Sequence, residues 1–261
     1  MAVLFGIEAP ACSAQRDADL TELLRIAVEK IEMAKKLKMR FTYLDRNHTQ
    51  NFLENGKLLM NQKQLFEVTY IADLEYSRLL EEDGKPITGK ALKKEQKRYD
   101  DAVRERSALD MNARAKLQNH WMKDSGIHLS LLPQQYRNVL VAHAPFNGED
   151  CLVIDSFPLP GAPQKQYRLW IEPTRKELLR MDFDQIATEG DIMKGGTGSE
   201  TWTYIDGIPL TSFFHIDAKI LVRGTDYVQV VMDDTYSGFR KFSVTTTILP
   251  VEPKHEGGNS N

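Results

Sequence analysis

The chain has no long apolar run. None of its 261 residues lies in a stretch approaching the roughly 20 apolar side chains that a helix needs to cross a bilayer. Cysteine is scarce, with Cys12 near the N-terminus and Cys151 in a predicted strand. That excludes a disulfide framework as the organising device, and leaves the redox compartment open. Charge of one sign is not in excess either: 34 Lys and Arg against 37 Asp and Glu leave a formal −3. No global basic field recruits nucleic acid or an anionic membrane, and no interleaving of aromatics with Lys and Arg marks an RNA-binding sheet.

Catalytic patterns are also missing. The six histidines (48, 120, 128, 143, 215 and 255) show no HxH, HExxH or HxxxH spacing, so no local metal site is predicted. "GGTGSE" lacks the Lys-Ser/Thr ending of a phosphate loop, and "KGGTGS" (194–199) reads as a turn or loop. There is no GxSxG elbow. Asp233 and Asp234 are adjacent in a predicted strand, so they point to opposite faces and do not form an acid–base pair. No enzyme and no cofactor are expected.

What is present is ordinary for a soluble domain: 27% charged and 41% apolar residues, long enough to bury a core. Leu20, Leu23, Leu24, Ala27, Ile31 and Ala34 recur at three- and four-residue steps and predict a helix over 19–38, capped by Asp17 or Asp19. Alternating segments follow at "MRFTYLDRN", "LFEVTYIA" and "YSRLLEE", with turns at "ENGK" and "EDGKPI". Residues 89–135 form a helical insert. Its front carries Lys90, Lys93, Lys94, Lys97 and Arg98, either a solvated face or a basic flap able to make peripheral membrane contact.

From Tyr136 the pattern returns to strands. "RNVLVAHAPF" and "CLVIDSF" flank the turn "NGED". "YRLWIEPTRKELLRMDF" (167–183) is a hairpin with Tyr167, Leu169 and Ile171 on one side of its first half and Leu179, Met181 and Phe183 on one side of its second. "GIPLTSFFHIDAKILV", "DYVQVVMDDTY" and "FRKFSVTTTIL" complete the sheet, the last contributing Phe242, Val244 and Ile248. About seven strands follow the insert in meander order. The expected class is α+β: a strongly curved antiparallel sheet, an unclosed half-barrel, with the N-terminal helix and the insert covering its concave face.

Three boundaries are expected: 1–18 as a disordered or signal-remnant segment, 19–250 as one half-barrel domain, and 251–261 as a flexible tail. The short apolar run at the start and the Cys-Ser-Ala at 12–14 before Gln15 suit the end of a secretory signal, while Glu8 and the missing basic start suit a cytosolic tail.

"FTYLDRNHTQNFLENGKL", "FEVTYIADLEYSRLLEEDGKPIT", "KALKKEQKRYDDAV" and "QYRLWIEPTRKELLRMDF" together resemble outer-membrane lipoprotein-sorting-like proteins, over about residues 20–249. The chain is similar to exported bacterial members of that family, and more distantly to the periplasmic lipoprotein carrier and its outer-membrane acceptor. The resemblance implies a half-barrel lined with apolar side chains and lidded by helices, and a periplasmic location.

The expected site is the apolar wall of Tyr167, Leu169, Ile171, Leu179, Met181, Phe183, Phe214 and Ile216, holding an acyl chain or a lipidated protein by burial alone. Met60, Met181 and Met232 suit an irregular ligand. The alternative is an interaction or sensor module binding an envelope protein through an edge strand or the basic insert. An open apolar cleft would favour the carrier, a filled interior a protein partner, and a polar cleft with converging carboxyls an enzyme.

Overall fold

The computed structural model describes residues 10–123, 129–222 and 226–241. Helix α1 (Pro10–Leu37) leads through a short 3-10 turn (Lys38–Arg40) into β1 (Phe41–Leu53), β2 (Leu58–Ile71), β3 (Leu74–Glu82) and the two-residue β4 (Lys85–Pro86). Helices α2 (Gly89–Ser107) and α3 (Met111–Lys123), a second 3-10 turn (Leu129–Leu131) and α4 (Leu132–Gln135) form the insert. Seven strands follow: β5 (Tyr136–Phe146), β6 (Glu149–Pro158), β7 (Lys165–Glu172), β8 (Glu177–Gln185), β9 (Thr197–Ile205), β10 (Ile208–Val222) and β11 (Asp226–Lys241). No helix among the described residues is long and apolar enough to cross a membrane.

All eleven strands lie in one sheet in the order β4-β3-β2-β1-β11-β10-β9-β8-β7-β6-β5. Every pair is antiparallel. The sheet is two meanders joined by one long-range pairing, β1 with β11, and its ends do not meet. It is the unclosed half-barrel that the alternation and short turns predict.

Three local differences from the sequence reading have clear causes. The helix starts at Pro10, so residues 10–18 of the segment expected to be disordered or a signal remnant are helical. Proline fits the first turn of a helix, where its missing N–H is not needed, and Ala, Gln and Arg follow it. Second, "SG" at 237–238 is not a break between strands. The β1–β11 register shifts between Thr42 and Leu44, where Gly238 takes φ +63°, a bulge within one continuous strand. Third, β9 begins at Thr197, inside the "KGGTGS" that the sequence predicts as a turn or loop, because the glycines there outweigh the apolar residues after them. The expected strand containing Phe242, Val244 and Ile248, the tail 251–261 and residues 1–9 lie outside the described residues.

The core forms where α1 and the end of the insert press on β6 to β9. Leu24, Ala27, Val28 and Ile31 make the stripe of α1, and Leu129 and Leu132 add the insert's contribution. Across from them sit Ile154, Leu169, Met181 and Trp202. Each large aliphatic side chain buried here is worth about 1.5–3 kcal/mol.

The front of the insert behaves differently. Helix α2 has few apolar residues, and it lies along the free edge of β3 rather than over the core. Its side chains complete β3's backbone hydrogen bonds. Arg98 donates to the Ser77 carbonyl, Arg106 to the carbonyls of Leu74 and Glu75 (2.9 and 2.8 Å), and the Leu79 N–H to Glu95 (3.3 Å). An unpaired edge invites strand addition, and α2 closes this one.

Candidate functional site: a carboxylate-lined cleft under the N-terminal helix

Most of the wall expected from sequence is closed core. Tyr167, Leu169, Ile171, Met181 and Phe183 are nearly or wholly buried and pack against α1 and α4 through the protein's own side chains. Ile216 is partly buried against the same cluster. Leu179 is buried but stands outside it, and Leu178 takes its place opposite Ile171. A bulge between Trp170 and Ile171 accounts for the exchange, since a one-residue shift turns a strand residue to the other face. Of the eight residues, Phe214 alone lines the open space described next. None of Met60, Met181 and Met232 lines it; Met39 does.

That space is a cleft of about 640 Å³ under the C-terminal end of α1. The helix covers β8 and β10 and ends over β1, where the sheet continues beyond it. The apolar side of the cleft is Ile31 and Ala34 of α1, Leu129, Trp202, Leu210 and Phe214. The other side is polar. Tyr43 and Asp45 come from β1, Tyr70 from β2, Glu75 from β3, and Asp234 and Tyr236 from β11. Glu200 of β9 and Asp73 of the β2–β3 turn add two more carboxyls, and Lys35 and Lys38 of the helix end add two ammonium groups.

Strand alternation explains the grouping. Tyr43 pairs with Val68, and Asp45 with Tyr236, so one face of three neighbouring strands collects these residues. The bulge at Gly238 then turns Phe239 onto the same face. Its ring lies 5.5 Å from that of Tyr43, and the Tyr236 ring lies 5.8 Å from Tyr43 on an edge-to-face contact. Asp233 and Asp234 part as alternation predicts. Asp234 enters the cleft and accepts from Asn47 Nδ2 (2.6 Å), while Asp233 meets His215 Nδ1 (2.7 Å) away from the cleft lining.

Each carboxyl has a distinct surrounding. Glu75 holds Lys38 Nζ at 2.9 Å and accepts weaker bonds from the hydroxyls of Tyr43 (3.4 Å) and Tyr70 (3.3 Å). Glu200 accepts from Thr211 Oγ1 (2.7 Å). Asp45 has an enclosed Oδ1 with no hydrogen-bond partner. Burial pushes the Asp45 carboxyl up to about 7, helped by the charges of Asp234 and Glu75. Burial also pushes Glu200 up to about 7, against the Thr211 hydroxyl and the pull of Lys35 and Lys38. Asp234 is raised too, first by burial. The phenols of Tyr43, Tyr70 and Tyr236 are held well above their ordinary range by burial and the neighbouring acids, and stay neutral donors.

The cleft's carboxyls therefore weaken the fold as pH rises. Below about pH 4 Glu200 is protonated both folded and unfolded, and no penalty exists. Above that the unfolded chain ionises while the folded carboxyl resists until about 7, so stability falls through this window and levels off above it. Glu200→Gln keeps an acceptor for Thr211 and removes the titration. We expect it to match the wild type at pH 4 and to exceed it at pH 8 by about 1–3 kcal/mol in urea unfolding. Parallel pH profiles for the two proteins would contradict the assignment.

No sequence motif announced these residues. The signal lay in the alternation: a carboxyl follows Phe41 and Tyr43 at the next inward position, Asp45, and Asp234 stands between Met232 and Tyr236. An acid in an inward register is costly unless it has a use.

The fold and cleft define an α+β, unclosed antiparallel half-barrel with a ligand-sized space beneath its N-terminal helix. No family model matches the chain, and no curated protein does. Among solved structures, a domain described as outer membrane lipoprotein-sorting from Vibrio parahaemolyticus aligns with 84% of this chain and 93% of its own length, at 12% identity and a TM-score of 0.36. A LolA superfamily protein from Nitrosomonas europaea aligns over 84% and 94%, at 10% identity and 0.29. A DUF1329 family protein from Desulfovibrio piger aligns over 87% and 95%, at 12% identity and 0.32.

Proposed function

We propose that the chain binds the hydrocarbon chain of an amphiphile, free or attached to a protein, and carries it through the periplasm without altering it. One observation carries this reading: a cleft of about 640 Å³ whose lining includes Ile31, Ala34, Trp202, Leu210 and Phe214 from α1, β9 and β10. Small-molecule sites span roughly 300–1,000 Å³. Each methylene buried contributes about 0.8 kcal/mol, so about fifteen of them, roughly 12 kcal/mol in all, offset association costs of about 4 kcal/mol and leave micromolar binding.

A second reading, acid–base catalysis, is favoured by the two carboxyls held near 7 in the same cleft. It predicts a chemically changed ligand, whereas the carrier reading predicts the same molecule out as in. The edge-strand reading is narrowed by α2. With β3 closed, a strand-adding envelope partner has β5 as the other edge of the sheet.

Trp202 reports directly on the cleft, while Trp170 stacks on Arg180 at 5.0 Å on the opposite side of its strand from Leu169 and Ile171. In a variant with Trp121 and Trp170 changed to Phe, a brominated acyl chain is expected to quench Trp202 saturably at micromolar concentration. Ala34→Phe, which fills the cleft beneath α1, is expected to weaken this at least tenfold. Quenching that rises linearly and ignores Ala34→Phe would count against a bound chain.

A further inference from the structure

We propose that the amphiphile taken by this cleft carries an ammonium group, primary or methylated, seated against Asp45, Asp234 and the rings of Tyr43, Tyr236 and Phe239. This rests on the reading of the cleft as a hydrocarbon-chain site and names the other end of the ligand.

Four observations point the same way. The first is charge balance. The cleft carries five carboxyls (Asp45, Asp73, Glu75, Glu200 and Asp234) against two ammonium groups, Lys35 and Lys38. A carboxylate or phosphate head would add to an excess that, after burial, already raises Asp45 through Asp234 and Glu75, whereas a cation relieves it. The second is the aromatic corner. Tyr43 touches Tyr236 at 5.8 Å and 75° and Phe239 at 5.5 Å and 43°. Aromatic rings set at angles around a small space favour an ammonium through their negative faces, and more so where water is excluded.

The third is an orphan acceptor. Asp45 Oδ1 is enclosed without a hydrogen bond, and Asp45 sits on β1 opposite Tyr236, in the same corner. An unpaired buried acceptor is a standing cost that a nearby cation removes. The fourth is a cation already in place. Lys38 Nζ lies 2.9 Å from Glu75 at the same wall, so the cleft accommodates an alkylammonium supplied by the protein itself. Lys38 reaches Glu75 and leaves Asp45 and Asp234 for the ligand.

The pieces fit one molecule. A chain along Ile31, Ala34, Trp202 and Leu210 runs from the apolar side toward β1 and β11, where the carboxyls and rings converge. No covalent step is involved, and no metal is required by the geometry.

The test is a matched series of twelve-carbon probes below their micellar concentrations, titrated by calorimetry: dodecylammonium, dodecyltrimethylammonium, dodecanol and dodecanoate. We expect either ammonium probe to bind at least tenfold tighter than dodecanol, and dodecanoate more weakly than dodecanol. The two ammonium arms separate a primary from a methylated head. Asp45→Asn and Asp234→Asn keep the side-chain shape. In each, the ammonium preference should fall at least threefold while dodecanol binding changes less than twofold. For the permanently charged dodecyltrimethylammonium, affinity should rise from pH 5 to pH 8 as Asp45 and Glu200, held near 7, ionise. Tyr43, Tyr70 and Tyr236 stay neutral over this range, and Lys35, Lys38, Asp73 and Glu75 complete the set facing the cleft. Equal binding of all four heads would overturn the ammonium inference and leave the chain site standing. Failure of all four to bind would overturn both.

Discussion

Gly198→Val is expected to leave little folded protein. A Cβ at this position would collide with the Phe183 ring and come within 2.6 Å of the His215 carbonyl oxygen. The ring belongs to the core under α1, and the carbonyl belongs to β10, whose His215 pairs with Ser199 beside the glycine. Neither retreats cheaply, because moving Phe183 opens the core and moving β10 breaks the β9–β10 ladder. We expect a loss of at least about 3 kcal/mol in urea denaturation for valine, with Gly198→Ala intermediate. Phe183→Leu should recover part of the alanine penalty, since the two sites share one space and their effects are coupled. A Gly198→Val protein within 1 kcal/mol of wild type would show that this contact is not as close as described.

Glu95→Ala is expected to be the most damaging single truncation outside the core. Glu95 is buried among partners from two elements. It accepts from Tyr76 Oη (3.0 Å), from the Leu79 backbone N–H (3.3 Å) and from Arg98 Nε and Nη2 (2.9 and 2.8 Å). Arg98 in turn stacks 5.0 Å over the Tyr76 ring, and Tyr99 meets that ring edge-on at 5.5 Å. Removing the carboxylate strands a hydroxyl, a backbone donor and a guanidinium at once. About 2–4 kcal/mol should be lost, with faster amide exchange over 74–79 as α2 loosens from the sheet edge. Glu95→Gln retains an acceptor and is expected to lose less than half as much. Equal losses for alanine and glutamine would mean that the charge rather than the hydrogen bonds holds α2.

The architecture was legible because it rests on period and punctuation. Leu24, Ala27, Ile31 and Ala34 mark the buried stripe of α1 by their spacing, and the turns at Asp83–Gly84 and Asn147–Gly148 fall where the residues demand them. The resemblance to lipoprotein-sorting-like proteins pointed to the same half-barrel. What alternation does not reveal is how far a helix reaches across the face it covers. Tyr167, Leu169 and Met181 have the composition of a ligand wall, yet α1 and α4 lie directly on them. The cleft opens instead where α1 runs out, over β1 and β11, a pairing of residues some 190 positions apart that only the folded sheet brings together. Bulges were equally hidden. One exchanges Leu178 for Leu179 on the core face, and another, at Gly238, supplies Phe239 to the aromatic corner.

The outer face shows why its charges carry no site. Arg168 grips Asp155 through two bonds of 2.7 and 2.8 Å, and Arg180 grips Asp182 through two of 2.8 and 3.1 Å. Pairs like these, the first between neighbouring strands and the second within β8, satisfy one another and ask for no ligand. Glu75 has Lys38, but among the described residues Asp45, Glu200 and Asp234 have no such ion pair, and that contrast within one sheet is what marks them out.

A chain-sized greasy space beside α1 is the claim on which everything functional depends. It is tested most directly by native mass spectrometry of protein purified without detergent from lipid-containing cells. The account predicts a species heavier than the bare chain by the mass of one amphiphile, released intact into organic solvent and absent from Ala34→Phe. A bare-chain spectrum, with no lipid in the extract and no stabilisation by any added acyl compound, would contradict it.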